Sequence, residues 1–203
     1  MIEDKRSDAY PLRRRDVVKR LIHADDDLLV IAGLGSTAWD ITSAGDRDLN
    51  FPLWGAMGGA ISMGLGLALA QPRRRVLVIT GDGETLMGLG SLASVALQGP
   101  QNLSICTFDN ERYGETGMQL THTSAKTDLA GVAKACGIAV TGEVRTEDEL
   151  EAALPAILEA PGPVYHAIKV RAEKLDFVLP PNDGEHLKDR FRLALLGACQ
   201  SRP

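Results

Sequence analysis

The chain has 203 residues, of which 44% are hydrophobic and 24% charged, and a formal charge of −5. That length suits one domain around a single continuous core, and the composition excludes a disordered or fibrous class. The acidic balance gives no general attraction to nucleic acid, and the longest apolar run, residues 55–70, is too short and too rich in glycine for a membrane span.

The N-terminus, MIEDKRSDAY, lacks the apolar segment of a secretory signal, so a cytoplasmic location is the default expectation. Arg13, Arg14, Arg15, Lys19 and Arg20 then alternate with Val17, Val18 and Leu21 at helical spacing. They predict a basic helix over about residues 12–23 whose cations form a solvated face. Residues 28–32 (LLVIA) read as a short strand ending at Gly33, followed by a helix from 36 that Ser36 could cap. Residues 55–70 (GAMGGAISMGLGLALA) place a small side chain every few positions, which suits a helix lying close against a sheet.

Residues 75–80 (RVLVIT) form a buried strand by their β-branched content and deliver the chain into Gly81-Asp82-Gly83, after which a helix is predicted over 86–97. The strand at 102–108 (NLSICTF) ends at Asp109-Asn110, and a polar loop continues through Tyr113, Gly114, Gly117 and His122. A helix over 128–136, a strand over 139–144, a helix over 147–158 and a last strand over 164–170 follow. Beyond Pro180-Pro181 the pattern is that of a linker and a C-terminal helix over about 184–198. Strands alternating with helices imply an α/β fold in three layers, with a parallel sheet between helices. Cys106, Cys136 and Cys199 stand far apart with no Cys-x-x-Cys pair, so free thiols are expected and neither zinc nor a cysteine-ligated iron–sulfur cluster.

In an open parallel sheet, ligands bind beyond the carboxyl ends of the strands. Gly81-Asp82-Gly83 sets one carboxylate between two residues without side chains, so a phosphate can approach the backbone and the N–H groups of the next helix. Asn110 stands 28 positions later at the end of the next strand, where its oxygen and that of Asp82 could meet one hard cation. Magnesium takes a few protein oxygens together with phosphate oxygens, which is what two such strand ends can offer. Read alone, Gly-Asp-Gly is as well explained by a simple turn. Gly33-x-Gly35 could open a dinucleotide fingerprint, but neither a third glycine at the required spacing nor a matching acidic residue follows.

The paired motifs resemble those of the thiamine-diphosphate enzymes. Within them the segments WGAMGGAISMGLGLALA, ITGDGETLMGLGSLAS and FDNERYGETGMQLTHT are most similar to the β subunits of sulfopyruvate and phosphonopyruvate decarboxylases. The resemblance covers nearly the whole chain and implies a single thiamine-diphosphate-binding domain of the diphosphate-binding type over 1–203. It implies magnesium ligands at the Asp82 and Asn110 side chains and the Arg112 carbonyl, and a diphosphate lined by Gly83, Glu84 and Thr85, with Gly81, Tyr113 and Gly114 beside it. The Glu84 carboxylate departs from the small residue common there and should point away from phosphate. Gly55 would receive the aminopyrimidine through its carbonyl, and Met57 would wedge the cofactor into a bent shape.

His122 and Glu115, with Tyr113, Thr116 and Gln119, are candidates for proton transfer or substrate contact, His122 foremost because imidazole titrates near neutral pH. His122 is equally well explained as a partner within its own loop, while His23, His166 and His186 read as structural or exposed. The resemblance further implies a small 2-oxo acid substrate and decarboxylation. The glutamate that activates the cofactor would come from a separate α-type pyrimidine-binding subunit, in an assembly with at least two copies of each chain. A carboligase subunit resembling acetolactate synthase, and a cofactor-binding homologue without catalysis, remain the alternatives.

Overall fold

A computed structural model describes residues 5–197 of the protein. In chain order the elements are α1 (Arg14–Ile22), β1 (Leu29–Ala32), α2 (Ser36–Ala44), β2 (Asn50–Pro52), α3 (Ala60–Ala70), β3 (Val76–Gly81), α4 (Asp82–Met87), α5 (Ser91–Gln98) and β4 (Leu103–Asp109). They continue with β5 (Arg112–Tyr113), β6 (Gln119–Leu120), α6 (Leu129–Ala135), β7 (Val140–Val144), α7 (Glu147–Leu158), β8 (Val164–Lys169) and α8 (Gly184–Leu196).

Six strands form one sheet in the order β2-β1-β3-β4-β8-β7, every neighbouring pair parallel. Both faces are buried, because strand side chains alternate and each set finds its own helical layer. Leu29, Ile31, Val76, Val78, Leu103 and Ile105 meet residues of α3, α5, α6 and α8 on one side. Val30, Leu77, Ile79, Cys106 and Ile168 meet α1, α2 and α7 on the other. Gly64 explains how α3 comes so close: a Cβ there would lie 2.1 Å from Val78 Cγ2. The expected α/β architecture is therefore present, and among the described residues no helix is long and apolar enough to cross a membrane.

Four local expectations are corrected. Residues 36–44 are helical, but the cap position is Gly35 at φ +78°, and Ser36 makes no capping bond, because the chain must turn sharply out of β1. The helix read over 55–70 begins only at Ala60, since residues 55–59 form a turn in which Ala56 adopts φ +58°. The helix read over 86–97 is two helices that part at Gly88–Gly90, where Gly88 lies against the backbone of Gly58. The basic helix presents a solvated face only in part, with Arg13 and Lys19 exposed. Arg14 is 5% exposed with Nε 2.7 Å from Asp40, Arg15 reaches the same carboxylate at 3.1 Å, Arg13 pairs with Glu173, and Arg20 pairs with Glu147 and Glu151 of α7. The acids opposing it lie on other elements, so only tertiary packing reveals them.

Cys106 and Cys136 are free thiols, as expected; Cys199 and the last residue of the expected C-terminal helix, 198, lie outside the described residues.

Candidate active site

The chain runs from β1 to β2 on one side and to β3 on the other, so the carboxyl ends of β1 and β3 flank a crevice where loops diverge. A cavity of about 560 Å³ opens there. Leu34, Ser36 and Thr37 line it after β1, Gly81 to Glu84 after β3, Phe108 and Asn110 at the end of β4, and Val170 after β8. Met57, Arg112, Tyr113, Gly114, Glu115, Thr116 and His122 complete the wall from the two loops above.

Most of the residues expected in the site thus converge on one cavity although they come from four segments of the chain. Two do not line it. Thr85 is buried with its hydroxyl 3.0 Å from that of Thr107, and Gly55 faces open space beside the cavity. Gln119 is exposed and bonds Thr116.

The register of the sheet sets the acidic floor. Gly81 pairs with Phe108, so Asp82 and Asp109 leave adjacent strand ends together, and Asp109 pairs across with Lys169. Asp82 is 3% exposed, and burial, reinforced by the charge of Asp109, pushes its carboxyl up to about 7. Thr121 donates to Asp82 Oδ2 at 2.5 Å, and the Thr123 hydroxyl lies 3.2 Å from the same oxygen. Asp109 is paired at both oxygens, with Thr123 and the Glu111 N–H on Oδ1 and Lys169 Nζ on Oδ2 at 2.7 Å. Asn110 turns its side-chain oxygen to the N–H of Arg112 at 3.0 Å, which curls the loop at Glu111, φ +62°. Ala56, Glu111 and Met118, the three non-glycine residues at positive φ among those described, lie beside this cavity, a backbone conformation that surrounding contacts must hold in place.

Glu84 extends away from Asp82, with Oε2 accepting from the Thr80 hydroxyl at 2.9 Å and filling the space over Gly33, where a Cβ would sit 1.7 Å away. Burial raises its pKa; the Thr80 hydroxyl and the nearby N–H groups of Gly58, Ala60 and Leu34 act in the opposite sense, and Oε1 is left without a hydrogen bond. Gly83 shows the closeness of the fit above. A Cβ there would meet the Tyr113 ring at 2.4 Å and the Met57 methyl at 3.6 Å, so these three residues meet at one wall. His122 is exposed to the cavity between two buried threonines.

Arg14, Ser36, Thr37, Met87 and the Thr121/Thr123 pair escaped sequence reasoning. Lys169 escaped it too, although there a signal existed. A lysine within the apolar strand VYHAIKV must find a buried partner, whereas Thr121 and Thr123 are brought to one side only by the 3-10 turn at His122–Ser124.

These residues fit a divalent cation with a phosphate ligand. Two buried carboxylates share one floor while Lys169 meets only Asp109 of the pair, and Gly81 offers no side chain to obstruct the space above. Among the described residues no group of three His, Cys, Asp or Glu could hold a metal alone, so a cation here depends on amide, carbonyl and ligand oxygens.

The family model described as the thiamine pyrophosphate enzyme, C-terminal TPP binding domain, matches residues 36–168. The β subunit of sulfopyruvate decarboxylase from Methanothermobacter thermautotrophicus is 37% identical over 189 residues, covering 93% of this chain and 98% of that one. Phosphonopyruvate decarboxylase from Streptomyces hygroscopicus is 38% identical over 187 residues, covering 92% of this chain and 46% of the relative. Among solved structures, benzoylformate decarboxylase from Polynucleobacter necessarius superposes with a TM-score of 0.67 at 21% identity, over 87% of this chain and 36% of that one, a likeness of fold.

Proposed function

The chain belongs to the thiamine pyrophosphate enzyme family through its C-terminal cofactor-binding domain, and from that premise we propose that it is the diphosphate-binding subunit of a heteromeric, magnesium-dependent decarboxylase of a small 2-oxo acid. Sulfopyruvate and phosphonopyruvate, named in its relatives, are the substrate type. The observation that carries the reading is that Asp82 and Asn110, from the ends of two adjacent strands, both line the cavity that Met57 and His122 also line.

Asp82 and Asn110 would hold magnesium with the Arg112 carbonyl, and the N–H groups at the start of α4 would face the diphosphate, with Gly83, Glu84 and Thr85 supplying backbone and Gly81, Tyr113 and Gly114 flanking it. When bound, thiamine diphosphate supplies a nucleophilic carbon and an electron sink for the departing carboxylate. Met57 would wedge the cofactor, supported by its contact zone with Gly83 and Tyr113, while the Gly55 carbonyl would orient the aminopyrimidine. Leu34, Leu86, Met87, Phe108 and Val170 make the wall largely apolar and exclude water from it. His122 and Glu115 would move protons at the substrate, and burial raises the Glu115 pKa against the opposing charge of Arg14.

The "subunit beta" name of the first relative, and the fact that the second extends over about twice the matched length, support a second polypeptide here. We assign it the pyrimidine-binding role and the activating glutamate. The test is reconstitution: this chain with a co-expressed pyrimidine-binding subunit, thiamine diphosphate and magnesium should release carbon dioxide from sulfopyruvate or phosphonopyruvate. Asp82→Ala should abolish both turnover and magnesium-dependent retention of the cofactor. Retention unchanged in Asp82→Ala would refute the site.

A further inference from the structure

Asp109 lies next to the proposed ligand Asn110 and carries the stronger ligand charge, yet both its oxygens are spent within the protein. Its place is in a buried relay. Lys169 Nζ bridges Asp109 Oδ2 at 2.7 Å and Glu111 Oε1 at 3.1 Å, and Glu111 is met in turn by Arg6 Nη2 and the Tyr10 hydroxyl, each at 2.8 Å. Two carboxylates, Asp109 and Glu111, are thereby matched by two cations, Lys169 and Arg6. Asp82, by contrast, is met by hydroxyl groups, and a cation bound beside it would favour its ionised form.

The hydroxyl groups of Thr121 and Thr123 join that relay to Asp82. Thr123 Oγ1 is 2.7 Å from Asp109 Oδ1 and 2.8 Å from Thr121 Oγ1, while Thr121 Oγ1 is 2.5 Å from Asp82 Oδ2. Each threonine has one hydroxyl proton. The shortest contacts to carboxylate send that of Thr121 to Asp82 and that of Thr123 to Asp109. Thr121 therefore holds Asp82 by Oδ2 and leaves Oδ1 as the oxygen for a metal, while Thr123, bound to Asp109, stands 2.8 Å from Thr121 Oγ1 and fixes where that hydroxyl sits.

We propose that Thr121 and Thr123 are positioning residues of the metal site, presenting Asp82 Oδ1 in a single orientation while the Lys169–Asp109 pair anchors them from below. The inference rests on the thiamine reading above. Groups of this kind around a metal ligand change affinity by about 10–100-fold when removed.

The experiment measures Mn²⁺ affinity by electron paramagnetic resonance on the full chain assembled with its co-expressed pyrimidine-binding subunit and thiamine diphosphate, beside the melting temperature of the metal-free chain. Thr121→Val and Thr123→Val should each weaken Mn²⁺ binding by about tenfold or more. Thr121→Ser and Thr123→Ser, which keep the hydroxyl, should restore it to within about threefold, on the same scale. Where a valine variant does not fold, Thr123→Ala against Thr123→Ser makes the same comparison.

Valine variants that melt lower yet bind Mn²⁺ as the wild type does would show a merely structural role and overturn the inference alone. Serine variants as weak as valine would overturn it too. Failure of the wild-type assembly to bind Mn²⁺ with thiamine diphosphate would overturn the thiamine reading and, with it, this inference.

Discussion

Gly88→Ala tests how the cofactor turn is held. Gly88 ends α4, and a Cβ added there would lie 2.2 Å from the Gly58 carbonyl oxygen and 3.0 Å from both its carbonyl carbon and its Cα. That is about 1 Å short of ordinary contact with the oxygen. The obstacle is backbone, with no flexible side-chain end to swing away, and Gly58 itself is at φ +91° and cannot simply rotate. Either α4 or the 55–59 turn must move, and overpacking of this kind costs about 1–3 kcal/mol. For a chain of this size that is a melting temperature lower by about 2–4 °C per kcal/mol.

Because the turn carries Gly55 and Met57, the variant should also bind thiamine diphosphate with magnesium more weakly than the wild type. Urea unfolding and cofactor titration read the two effects. Gly66→Ala is the control: a Cβ there meets nothing within 4 Å, it lies inside α3, and the change should stabilise by about 0.5–1 kcal/mol. A Gly88→Ala protein as stable as the wild type, with unchanged cofactor affinity, would refute the view that this glycine pair seats the turn.

Met57→Ala is expected to lower turnover of the assembled enzyme more than cofactor affinity, since the contacts at the diphosphate and metal remain; an unchanged turnover number would remove Met57 from the site. His166 gives a pH dependence. Burial lowers its pKa below the ordinary 6.5, and Nδ1 has no hydrogen bond. The folded state therefore resists the proton that the unfolded chain accepts, so stability is full above about pH 6.5 and falls as pH drops below it. Urea midpoints at about pH 7.5 and 5.5 should differ more for the wild type than for His166→Asn, and equal differences would refute the assignment.

The amino-acid sequence was sufficient for the order of strands and helices, because each carries its own periodicity and punctuation. The α7 boundaries follow from Thr146 and Glu149, which form a capping box, and the floor of the site follows from Gly81-Asp82-Gly83 and Asn110. The short edge strand β2 and the break between α4 and α5 were not legible, since the first is held by pairing with β1 and the second by contact with Gly58.

The same division runs through the site. Local spacing could select His122 from THT, but only the parallel register of β4 with β8 sets Lys169 beside Asp109, and only the folded loop turns Thr121 and Thr123 onto the two aspartates. Arg14 looked like a solvated cation until α1 packed on α2 and buried it against Asp40. Sequence patterns report what a residue does to its own segment, through backbone dihedrals and side-chain period. The partners of a buried charge lie far away in chain order, 26 residues for Arg14 with Asp40, 60 for Lys169 with Asp109 and 105 for Arg6 with Glu111, and are decided by how the layers close.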